Sequence, residues 1–118
     1  MAKIIYNKLI PFKDFTAITI WPVIFARREK EPVSSAAVNH ESIHLKQQAE
    51  MLILLFYVWY LAEWLIRLAI YHSKDEAYRN ISFEQEAYNF QTDPLYLYRR
   101  KRYGWLKYVT KKTYHKTK

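Results

Sequence analysis

The chain has no cysteine among its 118 residues. A disulfide framework and a thiolate metal site are therefore excluded, and nothing indicates an oxidising compartment. Any metal ion must be bound by His, Asp or Glu side chains. Glycine is scarce too, with a single residue, whereas 51% of the chain is hydrophobic and 18% is aromatic. This composition predicts an ordered, densely packed chain with room for one compact domain.

Acidic residues are absent from Arg99 to Lys118, a segment that contains nine Lys or Arg. Of the 19 basic residues in the chain, ten therefore precede this segment, against all 11 acidic ones, so the formal charge of +8 arises at the C-terminus. We expect a single domain over residues 1–98, followed by a basic, aromatic tail over residues 99–118. Such a tail suits an anionic lipid surface or a solvated helix end. Nucleic-acid binding is not favoured, because no groove-reading motif accompanies the charge.

The sequence also predicts no secretion signal. The N-terminal segment MAKIIYNKLIPF carries an early charge but no apolar run long enough for the core of a signal peptide. No small-residue cleavage site follows it. We therefore expect a cytoplasmic protein, with membrane association as the alternative.

The segment from Lys3 to Arg28 is rich in Ile, Phe, Thr, Val and Trp and is interrupted by two prolines. This pattern predicts two or three short strands. A charged connection follows, and Ser34 or Ser35 then offers an N-cap for a helix. The sequence thus predicts an α+β fold that is mainly helical, with a short N-terminal β-hairpin or edge strand before the first helix.

The predicted first helix carries the pattern HExxH at residues 40–44. On a helix His40 and His44 lie about 40° apart around the axis, so both imidazoles project from one face towards one ion. Glu41 lies about 100° from His40, where it can border a metal without binding it and act as the general base on a bound water. The spacing therefore indicates a mononuclear metal site suited to hydrolysis.

This motif resembles that of the zincin metallopeptidases, particularly the gluzincin-like group, in which a glutamate is the third zinc ligand. In several of those families the glutamate stands on a later helix in the pattern ExxA, which residues 84–87, EQEA, match. The resemblance implies one Zn²⁺ ion bound by His40, His44 and Glu84, with Glu41 as the general base. It covers roughly residues 15 to 90 and extends to short bacterial proteins of this kind.

Three neighbouring residues also belong to this pattern. Glu86 stays open as an alternative third ligand, although it points to a different side of a helix from Glu84. Tyr88 follows the Glu-Ala pair at a position where the resembled families commonly have aspartate. Gln47 falls on the same helix face as the histidines and is predicted to hydrogen-bond a ligand or substrate, unless it only contacts solvent.

By analogy with zincins we expect a group that stabilises a developing oxyanion. The sequence does not choose among four candidates, which are His72, Tyr78, Arg79 and Tyr88. The resemblance also implies that a strand before the active helix pairs with an extended substrate. The run from Thr16 to Ala26 is the candidate, with a plain core strand as the alternative.

The run from Met51 to Tyr71 is almost continuously apolar, interrupted only by Glu63 and Arg67. These two charges are four residues apart, so they can pair on a helix. Each would be costly at the centre of a bilayer, by about 2.5 to 3.5 kcal/mol on insertion scales. Three partners for the apolar surface stay open: the protein core, a second copy of the chain, or a peripheral membrane contact aided by the basic tail.

The same run is about long enough to cross a bilayer, which takes about 20 residues. A simple span, however, would place the HExxH histidines and Glu84 on opposite sides of the membrane. The zinc site and the span therefore exclude each other. We predict that the run breaks between Leu55 and Tyr60 and folds back as a helical hairpin.

Two short helices are predicted after this run. Ser73 and Ser82 each begin a capping-box pattern, which indicates helices at about residues 74–79 and 83–92. Pro94 is expected to end the second.

The leading hypothesis is a zinc-dependent metallopeptidase that hydrolyses peptide or protein substrates. The alternative is an inactive metal-binding protein, or a membrane-associated interaction protein with a basic C-terminus. The size of the chain leaves a partner domain or a homo-oligomer open.

Overall fold

A computed structural model describes residues 3–10 and 15–115. Three strands form one sheet: β1 (Lys3–Asn7), β2 (Ala17–Ile20) and β3 (Val23–Arg27). Their order is β1-β3-β2, with β1 parallel to β3 and β2 antiparallel to it. The predicted N-terminal hairpin is therefore confirmed as β2 and β3. Of the candidate edge run from Thr16 to Ala26, only the β2 part lies at an edge of the sheet, because β3 lies between β1 and β2.

Five helices follow the sheet in the described part of the chain, which confirms a mainly helical α+β fold. They are α1 (Ser35–Glu50), α2 (Leu54–Tyr71), α3 (Lys74–Arg79), α4 (Ser82–Phe90) and α5 (Tyr96–Arg99). Short 3₁₀ turns occur at Arg28–Lys30 and Leu106–Tyr108.

Helix α1 begins where the sequence predicts, with Ser34 as its N-cap. The Ser34 hydroxyl accepts a hydrogen bond from the backbone N–H of Ala37 at 3.1 Å. This bond satisfies one of the backbone donors that the first turn of a helix leaves free. The HExxH segment therefore lies on the second and third turns of a capped, 16-residue helix, and both histidines are buried.

The break in the apolar run lies at Met51–Ile53, earlier than the predicted interval of Leu55 to Tyr60. Leu52 and Ile53 turn the chain with φ angles of 53° and 62°. No glycine or proline marks this turn, and each such non-glycine residue costs about 1–2 kcal/mol. The prediction was wrong because α2 runs unbroken through the interval.

An unbroken α2 keeps its inward-facing side chains in line. Phe56, Tyr60, Glu63 and Arg67 recur at helical spacing and face the rest of the protein. Glu63 and Arg67 form the expected ion pair, with 3.0 Å between Oε1 and Nε. A break between residues 55 and 60 would separate this row, since its members share one helix face.

The two predicted capping boxes have different outcomes. The Ser73 hydroxyl accepts a hydrogen bond from Glu76 N–H at 3.3 Å, as expected of an N-cap, and α3 spans Lys74–Arg79 as predicted. Ser82 is not a cap but the first residue of α4, after Ile81 in the N-cap position. Its backbone N–H and its hydroxyl both donate to the Glu63 carboxylate, each at 2.6 Å. A hydrogen bond to Glu63 on α2 therefore replaces the predicted bond to the first turn of α4.

The basic segment that follows residue 98 packs against the domain. Trp105 is 2% exposed and joins Phe56, Ile81 and Phe83 in the larger of two apolar clusters. Gly104, the only glycine, lies so close to the Glu86 carboxylate that an added Cβ would be 2.6 Å from its Oε2. The segment up to residue 115 thus completes the core of the domain.

Glu63 links α2 to α4 from a buried position, so its removal is expected to destabilise the fold. In Glu63→Ala, Arg67 loses its partner carboxylate and the start of α4 loses two acceptors. We expect the free energy of unfolding to fall by about 3 kcal/mol in urea denaturation. Glu29→Ala is the matched control, because it removes a carboxylate from the exposed end of the Arg27–Glu29 pair. A control that lowers the unfolding midpoint as much would contradict the assigned role of Glu63.

Candidate metal centre

Two imidazoles from α1 and one carboxylate from α4 converge in the protein interior. The Nε2 atoms of His40 and His44 each lie 3.1 Å from Oε1 of Glu84. All three ligand atoms lie within 4.8 Å of one another, and all three residues are buried. Ligands at zinc-like bond lengths stand about 3.3 Å apart around a tetrahedral ion. The group therefore has the composition and spacing to hold a metal ion.

Gln47 determines that Nδ1 of His44 carries a proton. The Gln47 amide nitrogen donates to Phe83 O at 3.0 Å and to Glu86 Oε1 at 2.9 Å, which leaves the amide oxygen facing His44. That oxygen lies 2.7 Å from Nδ1 of His44, so Nδ1–H is the donor. If the ring is neutral, Nε2 carries a lone pair and faces Oε1 of Glu84. Both atoms are then hydrogen-bond acceptors and repel each other. Only a proton or a cation between them relieves this arrangement.

His40 has an equivalent support that the sequence did not reveal. Its Nδ1 lies 2.7 Å from Oε1 of Gln91, just beyond the last turn of α4. Metal-binding histidines commonly donate their second ring N–H to an oxygen, which sets the tautomer and the ring orientation. No local pattern marks Gln91 for this role, because the contact joins residues 51 positions apart.

Glu84 is held on its other side by a tyrosine. The Tyr60 hydroxyl donates to Oε2 of Glu84 at 2.6 Å, while Oε1 faces the histidines. Nothing in the sequence indicates this role, because Tyr60 lies within the apolar run from Met51 to Tyr71. The bond directs one carboxylate oxygen towards the two imidazoles, which is the geometry of a monodentate ligand.

The charges of the group reinforce one another. Burial lowers the pKa of His44, but the Glu84 carboxylate outweighs burial and raises that pKa to about 9. Burial raises the pKa of Glu84, but His44 and His40 outweigh it and hold the pKa below its ordinary value. A deprotonated carboxylate thus faces two ring nitrogens, an environment that attracts positive charge.

Glu41 lies beside this group without joining it. Its Oε1 accepts a hydrogen bond from the Thr19 hydroxyl at 2.8 Å, and its Oε2 lies 3.9 Å from Nε2 of His40. Burial raises the pKa of the Glu41 carboxyl against the lowering effect of His44 and His40. The edge strand β2 therefore positions Glu41 through Thr19.

Two cavities open on the site, and Glu41 lines both. The larger, about 500 Å³, is mostly apolar and also contacts His44 and Glu84. The smaller, about 310 Å³, contacts His40 and Gln91. Phe15, Ala17 and Tyr78 line both cavities as well, so together they form a cleft that passes the candidate metal group.

The four candidates for stabilising an oxyanion differ in their distance from the cleft. Tyr78 lines the cleft, and its hydroxyl lies 3.3 Å from that of Tyr88. Arg79 stacks on the Tyr88 ring, with its guanidinium carbon 3.8 Å from the centroid. His72 is the exposed residue that ends α2, and it lines neither cavity.

Glu86, the alternative third ligand, points away from the histidines. Its carboxylate accepts hydrogen bonds from Arg100, at 2.6 Å, and from the Tyr96 hydroxyl. Arg100 also forms paired hydrogen bonds with Glu50 on α1, each 2.9 Å long. Glu84 is thus the acid of the EQEA segment that meets the histidines.

Comparison of the chain with protein-family models, with curated proteins and with solved structures finds no match.

The convergence of His40, His44 and Glu84 predicts metal binding that depends on this group. We expect about one equivalent of Zn²⁺ in the wild-type protein and loss of tight binding in His44→Ala, measured by isothermal titration calorimetry. Gln91→Ala should weaken binding by about 10-fold, because the His40 ring loses its orienting oxygen. His72→Ala is the matched control, since it removes a histidine outside the site. Unchanged affinity in His44→Ala would show that the group binds no metal.

The raised pKa of His44 predicts a pH-dependent stability in the metal-free protein. The folded protein holds the His44 proton more tightly than the unfolded chain, whose histidine pKa is about 6.5. This contribution is fully present below pH 6.5 and disappears as the pH rises through about 9. We expect a loss on the order of 3 kcal/mol across this interval, measured by urea unfolding with a chelator present. The same profile in His44→Gln would contradict the assignment.

Proposed function

We propose that the protein is a zinc-dependent peptidase in which His40, His44 and Glu84 bind the ion and Glu41 is the general base. The observation that carries this proposal is the convergence of the three ligands beside a cleft that also holds Glu41. Two imidazoles and one carboxylate are a ligand set of catalytic zinc sites, and three protein ligands leave a position for water or substrate.

The chemistry follows from the positions of the chain's own residues. A bound zinc ion lowers the pKa of a coordinated water from about 15.7 towards about 7 and polarises a carbonyl group. Glu41 accepts the proton of the attacking water as the water oxygen bonds to the peptide carbonyl carbon. It then delivers that proton to the amide nitrogen as the C–N bond breaks, which gives an amine and a carboxylic acid. Burial raises the pKa of the Glu41 carboxyl above its ordinary value, which is the direction that favours proton transfer near neutral pH.

Tyr78 is the residue that we assign to the developing negative charge. It lines both cavities of the cleft, and burial raises the pKa of its hydroxyl well above the ordinary value. The hydroxyl therefore stays protonated and can donate to an oxyanion. Tyr88 supports it through the contact between the two hydroxyl groups.

An extended peptide is the substrate that the edge strand favours. Arg27 N–H donates to Thr16 O at 3.0 Å, so alternate residues from Thr16 onward pair with β3. The backbone groups of Ala17 and Thr19 then point away from β3. Thr19 O is already bound by the Gln48 amide at 3.0 Å, which leaves the Ala17 end of the edge for strand addition.

The test is peptide hydrolysis by Glu41→Gln, which keeps the size of the side chain but removes the base. We expect zinc content equal to that of the wild type and a fall in kcat of about 10³-fold on a fluorogenic peptide library. His72→Ala should retain full activity.

Retention of activity in Glu41→Gln would overturn the assignment of the base. A wild-type protein that binds zinc but cleaves no member of the library would favour the alternative, a metal-binding protein without turnover.

A further inference from the structure

Helix α2 buries its charged residues and exposes its apolar ones, which is the reverse of an ordinary surface helix. Its only charged residues, Glu63 and Arg67, are buried against the protein. Its exposed positions are all apolar or aromatic and include Leu61, Leu65 and Ile66, which are 56%, 51% and 60% exposed. A surface helix of a water-soluble protein normally presents its polar residues outward. The outer face of α2 is therefore built to meet something other than water.

The apolar surface continues from α2 onto the sheet side of the molecule. Leu9, Ile10 and Ile18 line the larger cavity together with Tyr57 at the start of α2, and all four are exposed. The outer face of α2 and these residues thus form one apolar surface, which we call the docking face. Part of the lining of the larger cavity therefore belongs to this face.

Positive charge borders this face. The segment 101–112 packs along α2, with the Trp105 and Trp59 ring centroids 5.2 Å apart and Arg67 bound to Tyr108 O at 3.1 Å. It exposes four basic side chains, at Lys101, Arg102, Lys107 and Lys111. No Asp or Glu occurs in the sequence after residue 93. On the sheet side, exposed Lys8 adjoins Leu9.

We propose that the docking face binds the surface of an anionic lipid bilayer, with α2 lying in the plane of the interface. An apolar face that enters the acyl boundary, bordered by Lys and Arg that meet anionic headgroups, is the arrangement of interfacial helices. A second copy of this chain fits less well, because it would bring two basic borders together, each on a protein of charge +8.

The orientation in the plane follows from the contacts of α2. The helix is long and apolar enough to cross a bilayer by length and composition. However, Arg67 and Glu63 on its inner face bind Val109 O and Ser82 along the body of the protein. A crossing α2 would carry these charged contacts and the body beside it into the hydrocarbon, whereas a flat α2 leaves them in water.

The experiment is co-sedimentation of the full chain with lipid vesicles. Wild type is expected to bind vesicles of equal parts phosphatidylglycerol and phosphatidylcholine, and to bind pure phosphatidylcholine more weakly. Binding to the anionic vesicles should weaken at high salt. Leu65→Ser with Ile66→Ser should lower the partition coefficient by about 30-fold, because two side chains no longer enter the apolar layer.

The matched control removes two exposed apolar side chains at α5, which contacts α1: Leu95 at its N-cap and Tyr98 within it. Leu95 and Tyr98 are 60% and 88% exposed, and Leu95→Ser with Tyr98→Ser should bind vesicles like the wild type. Circular dichroism melting shows whether each variant is folded.

Three results would overturn the proposal: no binding of wild type to anionic vesicles, equal binding by the α2 variant, or equal loss in the control. A wild-type dimer that the α2 variant lacks, seen by sedimentation equilibrium without vesicle binding, would assign the face to a second copy. The proposal does not rest on the proposed function, so chelator-treated protein should bind vesicles as untreated protein does.

Discussion

The contact of the buried Glu84 carboxylate with His40 and His44 is the interaction on which the rest of the structure depends. It requires α4 to lie across α1, because one oxygen must reach two rings on successive turns. The Glu63 carboxylate holds the start of α4 through Ser82, and the Tyr60 hydroxyl turns Glu84 inward. Helix α2 therefore supplies both the support of α4 and the orientation of the ligand.

A second polar network joins the site to the C-terminal segment. Gln47 orients His44 and donates to Glu86, and Glu86 in turn binds Arg100. Arg100 also binds Glu50, so the buried Glu86 and the half-buried Arg100 and Glu50 each have a partner of opposite sign. Burying an unpaired charge is costly, whereas a paired and hydrogen-bonded one is tolerated. The basic segment is thus part of the architecture around the site as well as a source of charge.

Sequence patterns were reliable where the physics is local and failed where it is not. The N-cap of α1 and the convergence of two histidines follow from helix geometry alone. The turn at Leu52 was missed because nothing in its residue types favours positive φ. Ser82 matches a capping pattern, but its hydroxyl donates a hydrogen bond to the Glu63 carboxylate and does not cap the helix.

By itself, the sequence determined the HExxH spacing, the basic C-terminus, the mainly helical α+β class and the inclusion of Glu84 among the candidate acids. These properties depend on composition and on the fixed rise and turn of a helix. Tertiary structure alone decided that Glu84 rather than Glu86 meets the histidines, that Gln91 and Tyr60 support the group, and that the apolar side of α2 faces outward. Each of these outcomes depends on contacts between residues far apart in the chain, whose distances no local periodicity sets.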